Sequence, residues 1–142
     1  MNTLSILHFQ RQLLVRLSTW SIASIFVGGL IALTTARGSF WQAFGGMNAA
    51  WGLVNLVIAS AGLYGVWKKM HNTTLDEQRE RNHLLRLLRL NAFLDVGYIV
   101  VGVGLLMWGS SALMHGFGSG ILVQGGFLLF FDYVHYLKGG QT

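Results

Sequence analysis

Four long apolar runs, separated by a charged segment and by short Gly/Ser turns, set the pattern of this chain. No charged residue occurs between Arg16 and Arg37, and roughly 20 apolar residues in a helix cross a bilayer core. A second uncharged stretch runs from Gly38 to Trp67 and carries Trp41 and Trp67 near its ends, where tryptophan commonly marks the membrane interface. The third run extends from about Leu90 to the Gly109-Ser110-Ser111 turn, and the fourth from about Gly116 to Leu137. The pattern predicts one all-α domain, a bundle of four transmembrane helices at about 17–36, 40–67, 90–109 and 116–137.

The segment 68–89 holds Lys68, Lys69, Asp76, Glu77, Arg79, Glu80, Arg81, Arg86 and Arg89 and reads as a water-facing connection. Thr74 followed by Glu77 fits a capping box, which predicts that the third helix starts near Leu75 and continues into the membrane. The first sixteen residues mix Arg11 and Arg16 with Leu4, Leu7, Leu13 and Leu14. They read as an amphipathic lead-in lying on the inner membrane surface. A cleaved leader is the rival reading, with Thr34-Thr35-Ala36 as its small-residue site, but the first apolar run is longer than such leaders use.

A weak internal repeat is present. Ile25-Phe26-Val27-Gly28 resembles Ile99-Val100-Val101-Gly102, and Phe44-Gly45 resembles Phe117-Gly118 at nearly the same offset. This pattern suggests a duplicated helical hairpin, a frequent device in transporters.

Composition strengthens the membrane reading. The chain is 53% hydrophobic and 11% charged, against roughly 25% charged in an ordinary soluble domain. It contains no Cys, which excludes disulfides, Cys-ligated metals and thiol nucleophiles. The net charge of +5 comes from basic residues that flank apolar runs, as snorkelling side chains do, so nucleic acid is not an expected partner. The amino terminus, the central connection and the carboxy terminus hold every Lys and Arg except Arg37. Retention of such charges inside the cell predicts that both termini are cytoplasmic.

Polar residues within the runs are the informative ones, because a bilayer makes them costly. Asp95 lies six residues inside Arg89, and Asp132 six residues before Lys138, so both sit roughly 9 Å from the same boundary. Asn91, Asp95, Tyr98 and Gly102 share one helical stripe, while Gln124, Asp132 and His135 share another. Facing each other, these stripes predict an intramembrane cluster of Asn91, Asp95, Tyr98, Asp132 and His135. In the second run Gly45, Asn48, Gly52, Asn55, Ala59 and Gly62 align on one face, and Ser21, Ser24 and Gly28 do so in the first. Asn48, Gly52, Asn55, Gly62 and Gln124 therefore read as bundle-interior packing residues. For the two acids, a buried pairing with Arg16, Arg86, Arg89 or an Asn competes with proton or cation handling.

No motif names a catalytic residue or a cofactor. Asp132 and His135 stand at the i, i+3 spacing of di-metal bundles, which need more carboxylates and a second His. Asp95, Asp132 and His135 are therefore only weak candidates for a metal. His135 alone is open to a pigment or quinone, while no second His lies at its depth for haem. Phosphate-binding loops, Gly-x-Ser-x-Gly and His-Glu-x-x-His are absent from the sequence.

Four segments resemble a family of uncharacterised small four-helix bacterial membrane proteins, found notably among Bacteroidetes. They are Phe9-Gln10-Arg11-Gln12, the Met47-Asn48 to Asn55 stretch, Asn91-Ala92-Phe93-Leu94-Asp95-Val96-Gly97-Tyr98, and Gln124-Gly125-Gly126-Phe127-Leu128-Leu129-Phe130-Phe131-Asp132. The resemblance puts Asp95, Tyr98, Gln124 and Asp132 in family motifs and implies a bacterial cytoplasmic membrane, without implying a reaction. The expected role is a non-enzymatic accessory or ligand-binding subunit in a lipid bilayer, as a homo-oligomer or part of a larger complex. The competing expectations are a small oligomeric transporter or proton conductor using Asp95 and Asp132, and a membrane metalloenzyme.

Overall fold

The computed structural model describes residues 3–71 and 76–141. Four helices follow in order: α1 (Thr3–Thr34), α2 (Phe40–Met70), α3 (Glu77–Trp108) and α4 (Ala112–Gln141). Each is long and apolar enough to cross a membrane. Phe26, Leu33, Phe93, Val100 and Phe130 are all more than half exposed on the outer faces, an apolar surface of a kind that soluble monomers rarely present.

The turns have local causes. Gly38, at φ 75°, takes the left-handed conformation between α1 and α2, which a side chain disfavours. Ser39 then caps α2 by accepting a hydrogen bond from the Gln42 amide. Asp76 caps α3, its carboxylate accepting from the amides of Gln78 and Arg79. Thr74 and Leu75, where the capping box was expected, lie outside the described residues.

One expectation needs correcting. The amino-terminal segment is not a separate surface helix but the first part of the continuous α1. Its apolar side turns inward, where Ile6 and Leu13 pack with Leu84 and Leu88 of α3 and Phe131 of α4. Burial of large aliphatic side chains against two neighbouring helices outweighs floating them at the interface.

The two hairpins are built alike. A Cβ on Gly28 would stand 2.5 Å from the carbonyl oxygen of Gly45, and one on Gly45 equally close to that of Gly28. In the second hairpin, the corresponding distances between Gly102 and Gly118 are 2.9 and 2.8 Å. These are the glycines that the sequence repeat aligns. Backbone meets backbone at each crossing, as small residues in membrane helices allow. At the end of the bundle distal to the termini, α4 docks onto α2, with Gly120 against Met47 and Phe44. Backbone approach is extensive within the α1/α2 and α3/α4 hairpins and along α2/α4, slight along α1/α3, and almost absent along α1/α4 and α2/α3. Two flanks are thus left for side chains to fill.

Substituting Gly28 by Val should push α1 from α2 and cost about 1–3 kcal/mol, as overpacking does, read as a lower unfolding temperature in detergent. Gly46→Ala, where a Cβ meets open space, should leave that temperature nearly unchanged.

Candidate functional site

The α1/α4 flank is bridged by an amide hub, beside a largely apolar cavity of about 220 Å³ that Trp20, Ser24, Asn48 and Gln124 help to line. Gln124, 1% exposed, donates through Nε2 to Asn48 Oδ1 at 2.7 Å and to Ser24 Oγ at 3.1 Å. Its Oε1 accepts from Trp20 Nε1 at 2.9 Å. Asn48 in turn donates to the Phe44 carbonyl at 2.8 Å, and Trp20 stacks on Phe127 with ring centroids 3.7 Å apart. Every polar atom in this amide hub has a partner, so its role is to lock three helices together. Gly52, another of the interior residues named from the sequence, lets α1 approach at Ser21, and Gly62 accommodates Leu14.

The α2/α3 flank also holds a cavity, and its chemistry differs. A cavity of about 190 Å³ is lined by Asn55 on α2, by Asn91, Asp95 and Tyr98 on α3, and by Asp132 on α4. Trp51 meets Tyr98 edge-on across it, at 4.9 Å between centroids. Asp95 and Asp132 are 4% and 7% exposed, and their carboxyl groups lie within hydrogen-bonding reach of each other. Two carboxyl groups can hydrogen-bond to each other only while one of them carries a proton. Neither acid forms a salt bridge among the described residues. The expected pairings with Arg16, Arg86 or Arg89 are therefore absent there.

Two atoms in this lining have no partner: Asn55 Nδ2, a donor, and Asp95 Oδ2, an acceptor. Buried polar atoms are nearly always satisfied, and leaving one unmet costs about 1–3 kcal/mol. The cavity exceeds by far the ~10–15 Å³ that a single water requires. An unmet donor, an unmet acceptor and two neighbouring carboxyl groups around one cavity constitute a site prepared for polar contents.

A second cavity of about 300 Å³ continues from the first, sharing Leu17, Ile58, Asn91 and Asp132. It reaches Lys69 and His83 at the charged end of the bundle. There Lys69 of α2 bridges to Glu80 of α3 at 2.9 Å. A continuous cleft therefore leads from the charged end to the acids.

Of the cluster expected from the sequence, Asn91, Asp95, Tyr98 and Asp132 line one cavity, and His135 does not join them there. Its Nε2 lies 3.2 Å from Arg16 Nη1 and its Nδ1 2.7 Å from the Phe131 carbonyl. With Nδ1 donating to the carbonyl and Nε2 accepting from the guanidinium, the ring is held neutral and both nitrogens are in use. Ligation of a pigment or quinone through His135 would have to displace Arg16. Among the described residues no group of three or more His, Asp and Glu side chains is arranged to hold a metal. Asp95, Asp132 and His135 do not form one.

Sequence reasoning passed over Trp20 and Trp51. Trp51 sits deep in the second run rather than at the interface where Trp usually settles, and each of the two carries an N–H that apolar surroundings leave wanting a partner. For Trp51 that position was the available signal, whereas Trp20, four residues from Arg16, reads as an ordinary interfacial Trp.

Gln124→Leu strands the Trp20, Ser24 and Asn48 groups and should cost roughly 1–3 kcal/mol of stability in detergent unfolding. Asp95→Asn leaves an amide able to donate to Asp132, whereas Asp95→Ala leaves that carboxyl without its partner. The Ala variant should be the less stable by about 1 kcal/mol or more in the same assay.

No curated protein and no solved structure matches the chain. A family model, described as a family of unknown function (DUF6992), matches residues 16–133, from the guanidinium beside His135 through both acids of the cleft. The chain belongs to this family of unknown function.

Proposed function

We propose that the chain is a multi-pass membrane protein without enzymatic chemistry of its own, and that its α2/α3 cleft is a binding site centred on Asp95 and Asp132. The observation that carries this reading is the pair of buried carboxyl groups within hydrogen-bonding reach of each other, beside an unpaired Asn55 donor, in an open cavity. Intramembrane acids without a basic partner are costly and are kept where they act. The membrane is taken to be a bacterial cytoplasmic membrane, on the resemblance drawn from the sequence motifs. The gathering of Lys and Arg at the end that carries both termini supports a cytoplasmic location for that end. A lipid bilayer surrounds the chain in this reading, as a homo-oligomer or within a larger complex.

A second reading has its own support: the cleft joins the acid pair to the charged end, as a proton path would. In this version the protein is a small transporter, with Asp95 and Asp132 taking up and releasing a shared proton. Four helices are few for a carrier, so a dimer would supply the full path.

An apolar carbodiimide, which activates protonated carboxyl groups reachable from lipid, tests the first reading. Membranes carrying the wild type should show covalent label at Asp95 or Asp132 by peptide mass spectrometry, and Asp95→Asn with Asp132→Asn should show none there. Absence of label from the wild type would refute a proton-holding site open to the cleft. For the second reading, liposomes should show proton flux that the same double variant abolishes.

A further inference from the structure

The cleft opens beside the first turns of α3, where a depression of about 500 Å³ is lined by Arg79, His83 and Arg86 with Asp76, Gln78 and Asn82. The three basic residues recur at spacings of four and three and so share one face. The neighbouring acids are already engaged. Asp76 accepts from the amides of Gln78 and Arg79 as the helix cap, and Glu80 is bound to Lys69. Neither Arg79 nor Arg86 has a salt bridge among the described residues, so beside the capping Asp76 a net positive face remains.

His83 lines both this depression and the cleft. Inward from it the walls turn apolar: Leu13, Leu14 and Leu17 of α1, with Leu84, Leu87 and Leu88 of α3. From His83 to Asn91 the helix rises roughly 12 Å at 1.5 Å per residue. A cationic face at the membrane boundary, continuous with an apolar trough of that depth, has the form of a lipid: anionic head, apolar chain. Basic side chains near a membrane surface attract anionic headgroups.

We propose that the cleft takes an anionic phospholipid from the leaflet at this end of the bundle. Its phosphate lies against Arg79, His83 and Arg86, and one acyl chain runs between α2 and α3 towards Asn91 and the acid pair. This rests on the reading of the cleft as a binding site and names its occupant.

The backbone supplies a convenient control. Gly65 lines the cleft, and a Cβ added there would meet nothing within 4 Å. Gly65→Leu should therefore fill the trough without disturbing its neighbours. Purified full-length protein in mild detergent would be mixed with phosphatidylglycerol or with phosphatidylcholine of the same chains, and bound lipid followed by native mass spectrometry. The wild type should hold one phosphatidylglycerol under activation that strips phosphatidylcholine. Retention should fall about tenfold or more in Arg79→Gln/His83→Gln/Arg86→Gln and likewise in Gly65→Leu, with unfolding temperatures near wild type as the check on folding.

Equal retention of the two lipids would overturn the assignment of the head. Full retention in Gly65→Leu would overturn the assignment of the chain. Displacement of the lipid by inorganic phosphate, with Gly65→Leu unaffected, would mark a free-phosphate site instead and also overturn it. Carbodiimide labelling of the acids without any lipid adduct would remove this proposal and leave the proton-holding site standing, whereas loss of both would remove the two together.

Discussion

Close backbone contact at two glycine pairs is the constraint on which the rest of the bundle depends. Gly28 against Gly45 and Gly102 against Gly118 bring each hairpin's helices nearer than any side chain would permit. In lipid no hydrophobic force draws apolar helices together, so dispersion over such contacts supplies much of the association. With each hairpin fixed, the α2/α4 approach joins the two. At the opposite end α1 touches α3, and the flanks α1/α4 and α2/α3 are then too wide for more than slight backbone contact.

How those flanks are filled separates structure from chemistry. Along α1/α4 a single side chain, Gln124, satisfies Trp20, Ser24 and Asn48 at once. An amide suits this position because it donates and accepts without charge. Along α2/α3 Trp51 meets Tyr98 and Lys69 bridges to Glu80 at the charged end, and the polar groups between include two carboxyl groups beside the amides of Asn55 and Asn91. Two carboxyl groups cannot satisfy each other without a proton, and the unmet atoms of Asn55 and Asp95 add demand that no neighbour meets. The two flanks occupy matching places in similar hairpins and each carries a cavity, yet the polar groups of the amide hub are paired whereas Asn55 and Asp95 each keep an unmet atom. That asymmetry is why function is assigned to the α2/α3 side.

The glycine repeat illustrates how far sequence patterns carried. Short matches around Gly28 and Gly102, and around Gly45 and Gly118, coincide with equivalent helix crossings because both hairpins need the same close approach. The amphipathic lead-in shows the converse. Its alternation of Arg with Leu fits a surface helix and the base of a transmembrane helix equally well, and only the positions of Leu84, Leu88 and Phe131 decide between them.

By itself the sequence determined four apolar helices, the placement of nearly all basic residues at one end, and which faces carry polar groups, since these follow from helical period and the cost of charge in lipid. Tertiary structure alone decided that Asp95 meets Asp132, that His135 turns to Arg16, and that α2 and α3 stand apart. A stripe specifies the face a residue occupies on its own helix. Which neighbour meets that face, and how closely, depends on crossings set by glycines many residues away.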